Sequence, residues 1–211
     1  MSNLLPSIDL ADALDSVLAG RRSIRTYEDR AVPADLLERV LSAACHAPSP
    51  HHSIPWRLAV LTGDEAKHRL SAAMSEKWRA DLLGDGLGET EVALELEKSH
   101  RRLTASPVVL VGSVYPERLD EYPDPDRQAA ETLMAAHSLG AALQNIMLAA
   151  HANGLASCWM CAPVFCSDVV REALGLADGL FPHAIITMGY AARPPRPRTR
   201  PSVDQIVALR A

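Results

Sequence analysis

The sequence is poor in several features that mark particular classes of protein. Aromatic residues make up only 4% of the 211 residues, and the four cysteines are too few for a disulfide scaffold at this length. Acidic residues outnumber basic ones by 26 to 21, a formal charge of -5, which argues against a surface that binds nucleic acid throughout. Every stretch of about 18 residues contains at least one charged or amide side chain, so a membrane span is not expected.

The remaining composition is that of a globular protein. Hydrophobic residues make up 48% of the chain and charged residues 22%, and the length is sufficient for one domain with a hydrophobic core. Residues 1–10 lack the basic and apolar regions of a secretory signal, so a cytoplasmic protein is expected. We therefore predict a single domain over residues 1–211 that ends in an extended, proline- and arginine-rich tail from residue 193.

Hydrophobic periodicity predicts alternating helices and strands. The segment 127–153 has no internal proline and is apolar on more than one face, which indicates burial on several sides and favours a homodimer. The loop 48–55, rich in proline and histidine, is the kind of segment that contacts a ligand. The predicted helices are 9–19, 33–47, 62–83, 89–105, 127–153 and 168–174, and the predicted strands are 56–61, 108–114, 156–160 and 184–189.

An arginine-rich block stands out in this acidic chain. Arg21, Arg22 and Arg25 surround Ser23 within five residues, and guanidinium groups bind phosphate oxygens in forked, charge-assisted pairs. The block therefore suits a phosphate-bearing ligand, and the arginines of residues 196–200 could meet the same phosphate. The alternative is a solvated basic turn after a helix.

Two further patterns are weak evidence for a metal site and for a dinucleotide-binding loop. His51, His52, Cys158 and Cys161 are of metal-ligand type, but the two cysteines lie inside an apolar run, which favours core packing over a zinc site or a redox pair. Residues 84–88 hold three glycines without the G-x-G-x-x-G spacing of a dinucleotide loop, so we interpret them as a flexible linker. No metal site is predicted, and spacing alone indicates only a phosphate-bearing ligand of unspecified kind.

Five segments together resemble the nitroreductase family of flavoproteins in order and spacing. The resemblance extends over residues 10–209, and the arginine-rich block is its most specific part. Residues 47–52 are most similar to the flavin domain of FbiB-type proteins of coenzyme F420 biosynthesis, because prolines and histidines replace the glycines and asparagine of common nitroreductases. The five segments are 21–27, 47–49, 55–57, 154–159 and 189–190.

The resemblance implies both a fold and a cofactor. It implies an α+β, three-layer α/β/α nitroreductase-like fold in an intertwined homodimer, with FMN at the subunit interface. By position in the family pattern, Ser49 and His52 would flank the isoalloxazine ring, and the segment 157–161, including Met160, would cover its other edge. The residues implied to hold the phosphate and the ribityl chain are Arg21, Arg22, Ser23, Arg25, Arg198 and Arg200.

The implied chemistry belongs to FMN rather than to a catalytic side chain. A reduced donor such as NAD(P)H would give hydride to FMN, which would pass it to a small-molecule acceptor, with no nucleic acid or membrane as partner. The leading hypothesis is an oxidoreductase that reduces a dehydro precursor of the deazaflavin coenzyme F420. The alternatives are a general NAD(P)H-dependent reductase of nitroaromatics or quinones, and a flavin- or deazaflavin-binding protein without turnover. The last alternative is a metal-binding module that uses His51, His52, Cys158 and Cys161.

Such a deazaflavin acceptor is anionic and aromatic, so it requires stacking and positive charge nearby. Trp78, Arg79 and Asp81 are predicted to bind the substrate on this ground, and the basic group at residues 98–102 is assigned to the same side. The alternative is that both segments are solvated helix faces with one half-buried tryptophan.

Overall fold

The structure is a computed structural model that describes residues 8–195 and 197–210. Residues 1–7, Arg196 and Ala211 lie outside the described residues. They include most of the N-terminal segment predicted to lack a secretory signal, and one arginine of the tail. The helices are α1 (Ile8–Gly20), α2 (Ala34–Ser42), α3 (Asp64–Gly84), α4 (Glu89–Thr104), α5 (Pro125–Ala152) and α6 (Ser167–Leu174). The strands are β1 (Trp56–Leu61), β2 (Val108–Val114), β3 (Ala156–Met160) and β4 (Phe181–Gly189).

The four strands form one sheet in the order β1-β2-β4-β3, and every neighbouring pair is antiparallel. All of β2 is buried, because successive side chains of a strand point to opposite faces and helices cover both faces. Val108 and Leu110 belong to one core cluster, whereas Val109 and Val111 belong to the other. The predicted three-layer α/β/α arrangement is confirmed.

Different helices supply the two cores. On one face, α2 and α5 bury residues such as Val40, Leu143 and Ile146 against the sheet. On the other face, α3 buries Leu70, and α4 and α6 bury apolar residues of their own. Gly112 lets α5 approach β2 closely, because a Cβ atom there would lie 3.1 Å from Leu143 Cδ2. This close packing fixes α5 as the central helix of its layer.

The limits of α5 follow from local chemistry. Asp124 caps its N-terminus by accepting a hydrogen bond from the Arg127 backbone N–H at 2.9 Å, and Pro125 occupies the first turn. The helix therefore begins two residues before the predicted start. By length and composition α5 is apolar enough to cross a membrane, but a core helix passes the same test, and α5 packs into the core described above.

Most predicted boundaries agree with the structure to within a few residues. Strands β1, β2 and β3 match their predictions residue for residue. Strand β4 begins three residues early, because Phe181 and Pro182 pair with the end of β2 beyond a register shift. Helix α2 ends at Ser42 and continues as a 3-10 turn, so the predicted helix to residue 47 was too long.

Candidate functional site

The arginine-rich block runs along the edge of the sheet. After α1 ends, Ser23 forms an isolated parallel bridge with Ser157 of β3. The Ile24 backbone N–H donates to the Ser157 carbonyl oxygen at 3.0 Å. The block is therefore held as a short extended segment beside β3, and its arginines line a cavity.

Tyr27 anchors the far end of this segment. Its hydroxyl lies 2.6 Å from the Ile24 carbonyl oxygen and 2.8 Å from Thr187 Oγ1 of β4, and burial raises the pKa of this phenol. The neighbouring Gly189 is closely surrounded, since a Cβ atom there would lie 2.8 Å from Pro107 Cδ and 3.2 Å from Tyr27 Cβ. Tyr27 and Gly189 therefore fix the distance between the block and β4.

The block and the C-terminal tail enclose one cavity of about 590 Å³, which we name the arginine cradle. It brings together all six residues that the family pattern assigns to the phosphate and the ribityl chain. It also contains Arg193, which was not among those six, because the chain leaving β4 returns beside the block. The polar residues of the cradle are Arg21, Arg22, Ser23, Arg25, Thr26, Arg193, Arg198 and Arg200.

The electrostatics of the cradle favour an anion. Among the described residues, no cradle arginine has a carboxylate oxygen within 4.0 Å. In the part of the chain that the structure describes, Arg21 Nη1 is buried without a hydrogen-bond partner, while Arg200 Nη2 donates to the Arg21 carbonyl oxygen at 2.9 Å. Burial, together with the charges of Arg200 and Arg22, lowers the pKa of the Arg21 guanidinium. A phosphate would satisfy the unpartnered donor and offset the repulsion.

A second cavity of 540 Å³ adjoins the cradle and shares Arg25, Thr26 and Arg193 with it. Its other cations come from the end of α4. Lys98 Nζ lies 2.6 Å from Glu95 Oε1, so its charge is balanced. The remaining two, Arg101 and Arg102, have no carboxylate within 4.0 Å among the described residues.

The cysteines do not form a metal centre in the part of the chain that the structure describes, where no three metal-ligating side chains cluster. Core packing is confirmed for Cys158, which is fully buried, and was wrong for Cys161, which is exposed and accepts a hydrogen bond from Trp159 Nε1 at 3.0 Å. Burial raises the pKa of the Cys158 thiol, whereas Arg25, Arg102 and Arg21 lower it. The positive charges of arginines from the block and from α4 therefore both favour the thiolate form of Cys158 in β3.

The loop that carries Ser49 and His52 lies elsewhere in the chain. Ser49 Oγ accepts a hydrogen bond from the Ile54 N–H at 3.1 Å, and Ser49 borders an open cavity of 290 Å³ against Met134 of α5. His51, His52 and Ile54 have φ values of 50°, 53° and 49°, the left-handed region that non-glycine residues avoid. Within one chain, neither Ser49 nor His52 lines the cradle or the second cavity.

Four other predicted residues also lie outside the two cavities. Met160 ends β3 and packs against the core cluster of α3, α4 and α6. Trp78, Arg79 and Asp81 lie on the partly exposed second half of α3, where Arg79 Nη2 is 2.6 Å from Glu89 Oε2 and Asp81 pairs with Lys77. The cofactor role of Met160 and the substrate role of the three α3 residues stay predictions.

His151, which no sequence pattern singled out, lies behind the cradle. It belongs to the last turn of α5 and lines a cavity of 220 Å³ together with Arg21 and Arg22. Burial, followed by the charges of these two arginines, lowers the pKa of His151. An anion in the cradle would counter both positive charges and thereby raise this pKa again.

We expect His151 to make the stability of the protein without a ligand in the cradle dependent on pH. A folded-state pKa below the unfolded value of about 6.5 adds stability above that pH, and this stability is lost as the pH falls through the folded-state pKa. We expect His151→Asn to flatten the acidic side of the curve of unfolding free energy against pH, as measured by urea titration. An unchanged curve would contradict this role, and added FMN should flatten the wild-type curve as well.

Comparison with known proteins gives a consistent result. The family model described as "Nitroreductase family" matches residues 18–190. The nitrobenzene nitroreductase of Ectopseudomonas oleovorans is 28% identical over 84% of this chain and 86% of its own length. The FMN-dependent nitroreductase NfnB from Mycobacterium smegmatis, solved in complex with NADPH, is 25% identical, with a TM-score of 0.66 over 92% of this chain and all of its own. The nitroreductase-like protein from Bacillus cereus is 23% identical, with a TM-score of 0.70 over 99% of this chain and 98% of its own.

Proposed function

This chain belongs to the nitroreductase family, and we propose that it transfers hydride from a reduced nicotinamide dinucleotide to a small nitroaromatic or quinone acceptor. It is an FMN-dependent oxidoreductase, as its family membership and its named relatives indicate. Bound FMN supplies the group that accepts and returns the hydride. The observation that carries the proposal is the arginine cradle with its unpartnered, buried Arg21 Nη1.

The chain's own residues would hold the phosphate of FMN from two sides. Arg21 would direct its buried Nη1 donor to a phosphate oxygen, and the Ser23 hydroxyl would add a hydrogen bond. From the tail, Arg200 already fixes the backbone of Arg21 and brings a further charge to the same cavity. These residues would therefore hold the phosphate end of the cofactor beside the start of the tail.

We further propose a homodimer in which the 48–55 loop of a second copy completes the site. Leu133 and Met134 of α5 are 56% and 41% exposed, and Met134 borders that loop, so an apolar face is left uncovered beside it. Leu14 of α1 and Ile206 of the tail are also exposed.

Light scattering of the wild type should give twice the mass of one chain, and Met134→Asp should lower the measured mass. A monomeric wild type that still turns over would contradict this arrangement.

The proposed activity is tested by two half-reactions without oxygen. NADPH or NADH should bleach the bound flavin of the purified protein, and a nitroaromatic or a quinone should restore its colour after the nicotinamide product has been removed. If neither nicotinamide bleached the flavin, the proposal would fail, and a flavin-binding protein without turnover would become the better explanation.

A second candidate substrate is a dehydro precursor of the deazaflavin coenzyme F420. This candidate rests on the resemblance of residues 47–52 to the flavin domain of FbiB-type proteins, and within this segment His51 and His52 take up left-handed conformations. The chemically reduced protein should then convert the precursor to a product heavier by two hydrogens, as measured by mass spectrometry. A precursor mass that did not change would eliminate this candidate.

A further inference from the structure

The interface between α3 and α4 holds a pair of histidines that the proposed hydride transfer does not use. His68 of α3 is exposed, and His100 of α4 is partly buried. Their ring centroids lie 5.3 Å apart, with the ring planes tilted by 50°. Neither histidine lines the arginine cradle or the second cavity. The pair is therefore a separate group of metal-ligating type on the far side of α4.

One of the two rings is already held in a fixed orientation. Ser71 Oγ lies 2.9 Å from His100 Nδ1, and Ser71, on the same helix as His68, is only 1% exposed. Among the described residues, no hydrogen bond engages His100 Nε2 or either ring nitrogen of His68. A histidine that binds a metal ion typically uses its second ring nitrogen for such a hydrogen bond, which fixes the ring. His100 therefore has one nitrogen anchored and the other available to a ligand.

The separation of the two rings fits a single ion between them. Imidazole nitrogens bind zinc at about 2.0 to 2.1 Å, so two imidazoles at the tetrahedral angle have ring centroids about 5 Å apart. The observed separation of 5.3 Å agrees with this value. Small changes of the exposed His68 side chain would therefore suffice to bring both rings onto one ion.

The surroundings of the pair permit a cation. His68 lines an open cavity of 450 Å³, through which an ion can enter. Arg101 follows His100 but lines the second cavity, because successive residues of a helix point about 100° apart. The two basic residues that flank His68 are each paired with a carboxylate, at 2.9 and 2.6 Å, and these pairs are Lys67–Asp64 and Arg69–Glu65.

We propose that His68 and His100 form a binding site for a divalent transition-metal ion of the zinc class, which bridges α3 and α4. The two imidazoles supply two ligands and water fills the remaining positions, since no three metal-ligating side chains cluster in the described part of the chain. Imidazole suits Zn²⁺, whereas Mg²⁺ prefers oxygen ligands. The bound ion joins the last two turns of α4 to α3 and so stabilises this helix pair. The inference does not depend on the proposed activity.

The first test measures whether the ion binds at the pair. Zn²⁺ is titrated into the FMN-loaded protein by calorimetry, for the wild type, His68→Gln, His100→Gln and the control His46→Gln, which removes an exposed histidine outside α3 and α4. Zinc held by the exposed Cys45 and Cys161 is common to all four proteins. We expect the two pair variants to bind Zn²⁺ at least about tenfold more weakly than the wild type and the control, and Mg²⁺ to bind to none of them. A wild type that bound no Zn²⁺, or equal affinities in all four proteins, would overturn the proposal.

The second test asks whether one ion bridges the two helices. Zn²⁺ should raise the urea midpoint of the wild type, because a ligand that binds only the folded state stabilises it. His68→Gln should abolish this shift, and its exposed position leaves the folded protein intact. Ser71→Ala should weaken Zn²⁺ binding about tenfold by releasing the His100 ring. If His100→Gln kept the wild-type affinity while His68→Gln lost it, the ion would lie on α3 alone, and the bridge would be refuted.

Discussion

Arg21→Ala is expected to weaken FMN binding by a factor of about 10 to 100, the largest effect of any single change in the cradle. Among the described residues, Arg21 Nη1 is buried without a partner in a cavity lined by other arginines, so a phosphate there would accept a charge-assisted hydrogen bond from a donor that is shielded from water. Quenching of FMN fluorescence during titration of the flavin-free protein measures the affinity.

The matched control for this change is Arg39→Ala. Arg39 is exposed near the end of α2 and belongs to neither cavity, so its removal should leave FMN affinity unchanged. Arg21→Lys should restore only part of the affinity, because an ammonium group lacks the guanidinium fork. Equal affinities for Arg21→Ala and wild type would show that the cradle does not hold the phosphate.

Gly189→Ala is expected to have the largest effect on stability, lowering the free energy of unfolding by about 1 to 3 kcal/mol. The added Cβ atom would lie 2.8 Å from Pro107 Cδ and 3.2 Å from Tyr27 Cβ, so the end of β4 and the arginine-rich block must move apart. Because Tyr27 anchors that block to Thr187, FMN affinity should fall as well. Denaturant unfolding and FMN titration measure the two effects.

Gly84→Ala provides the comparison. Gly84 is the last residue of α3, and a Cβ atom there meets nothing within 4 Å, so we expect no loss of stability, because alanine favours a helix more than glycine does. If both variants unfolded at the denaturant concentration of the wild type, the close approach of the block to β4 would be wrong.

The sequence predicted the sheet well, because the relevant information is local. Strands β1 and β2 are apolar runs that each follow a proline, Pro55 and Pro107, and their limits were predicted without error. The start of β4 was missed because pairing beyond a register shift with β2, a tertiary contact, extends it. The helix predicted up to residue 47 ended early, since a tighter 3-10 turn replaces its last part.

The site was predictable only where its residues are neighbours in sequence or fall in a family pattern. Arg21, Arg22 and Arg25 form one block and were found directly. Arg193 and His151 come beside that block only because β4 and α5 end there, which no local pattern encodes. In the proposed homodimer, Ser49 and His52 would reach the cradle of a second copy of the chain, and a pattern within one chain does not specify such a contact.

The central claim, that the cradle holds FMN in an oxidoreductase, is tested most directly by the visible spectrum of the protein purified without added cofactor, before and after NADPH is added in the absence of oxygen. The account predicts the two bands of an oxidised flavin, their loss on reduction, and release of FMN on denaturation. A colourless protein that also failed to take up added FMN would contradict it.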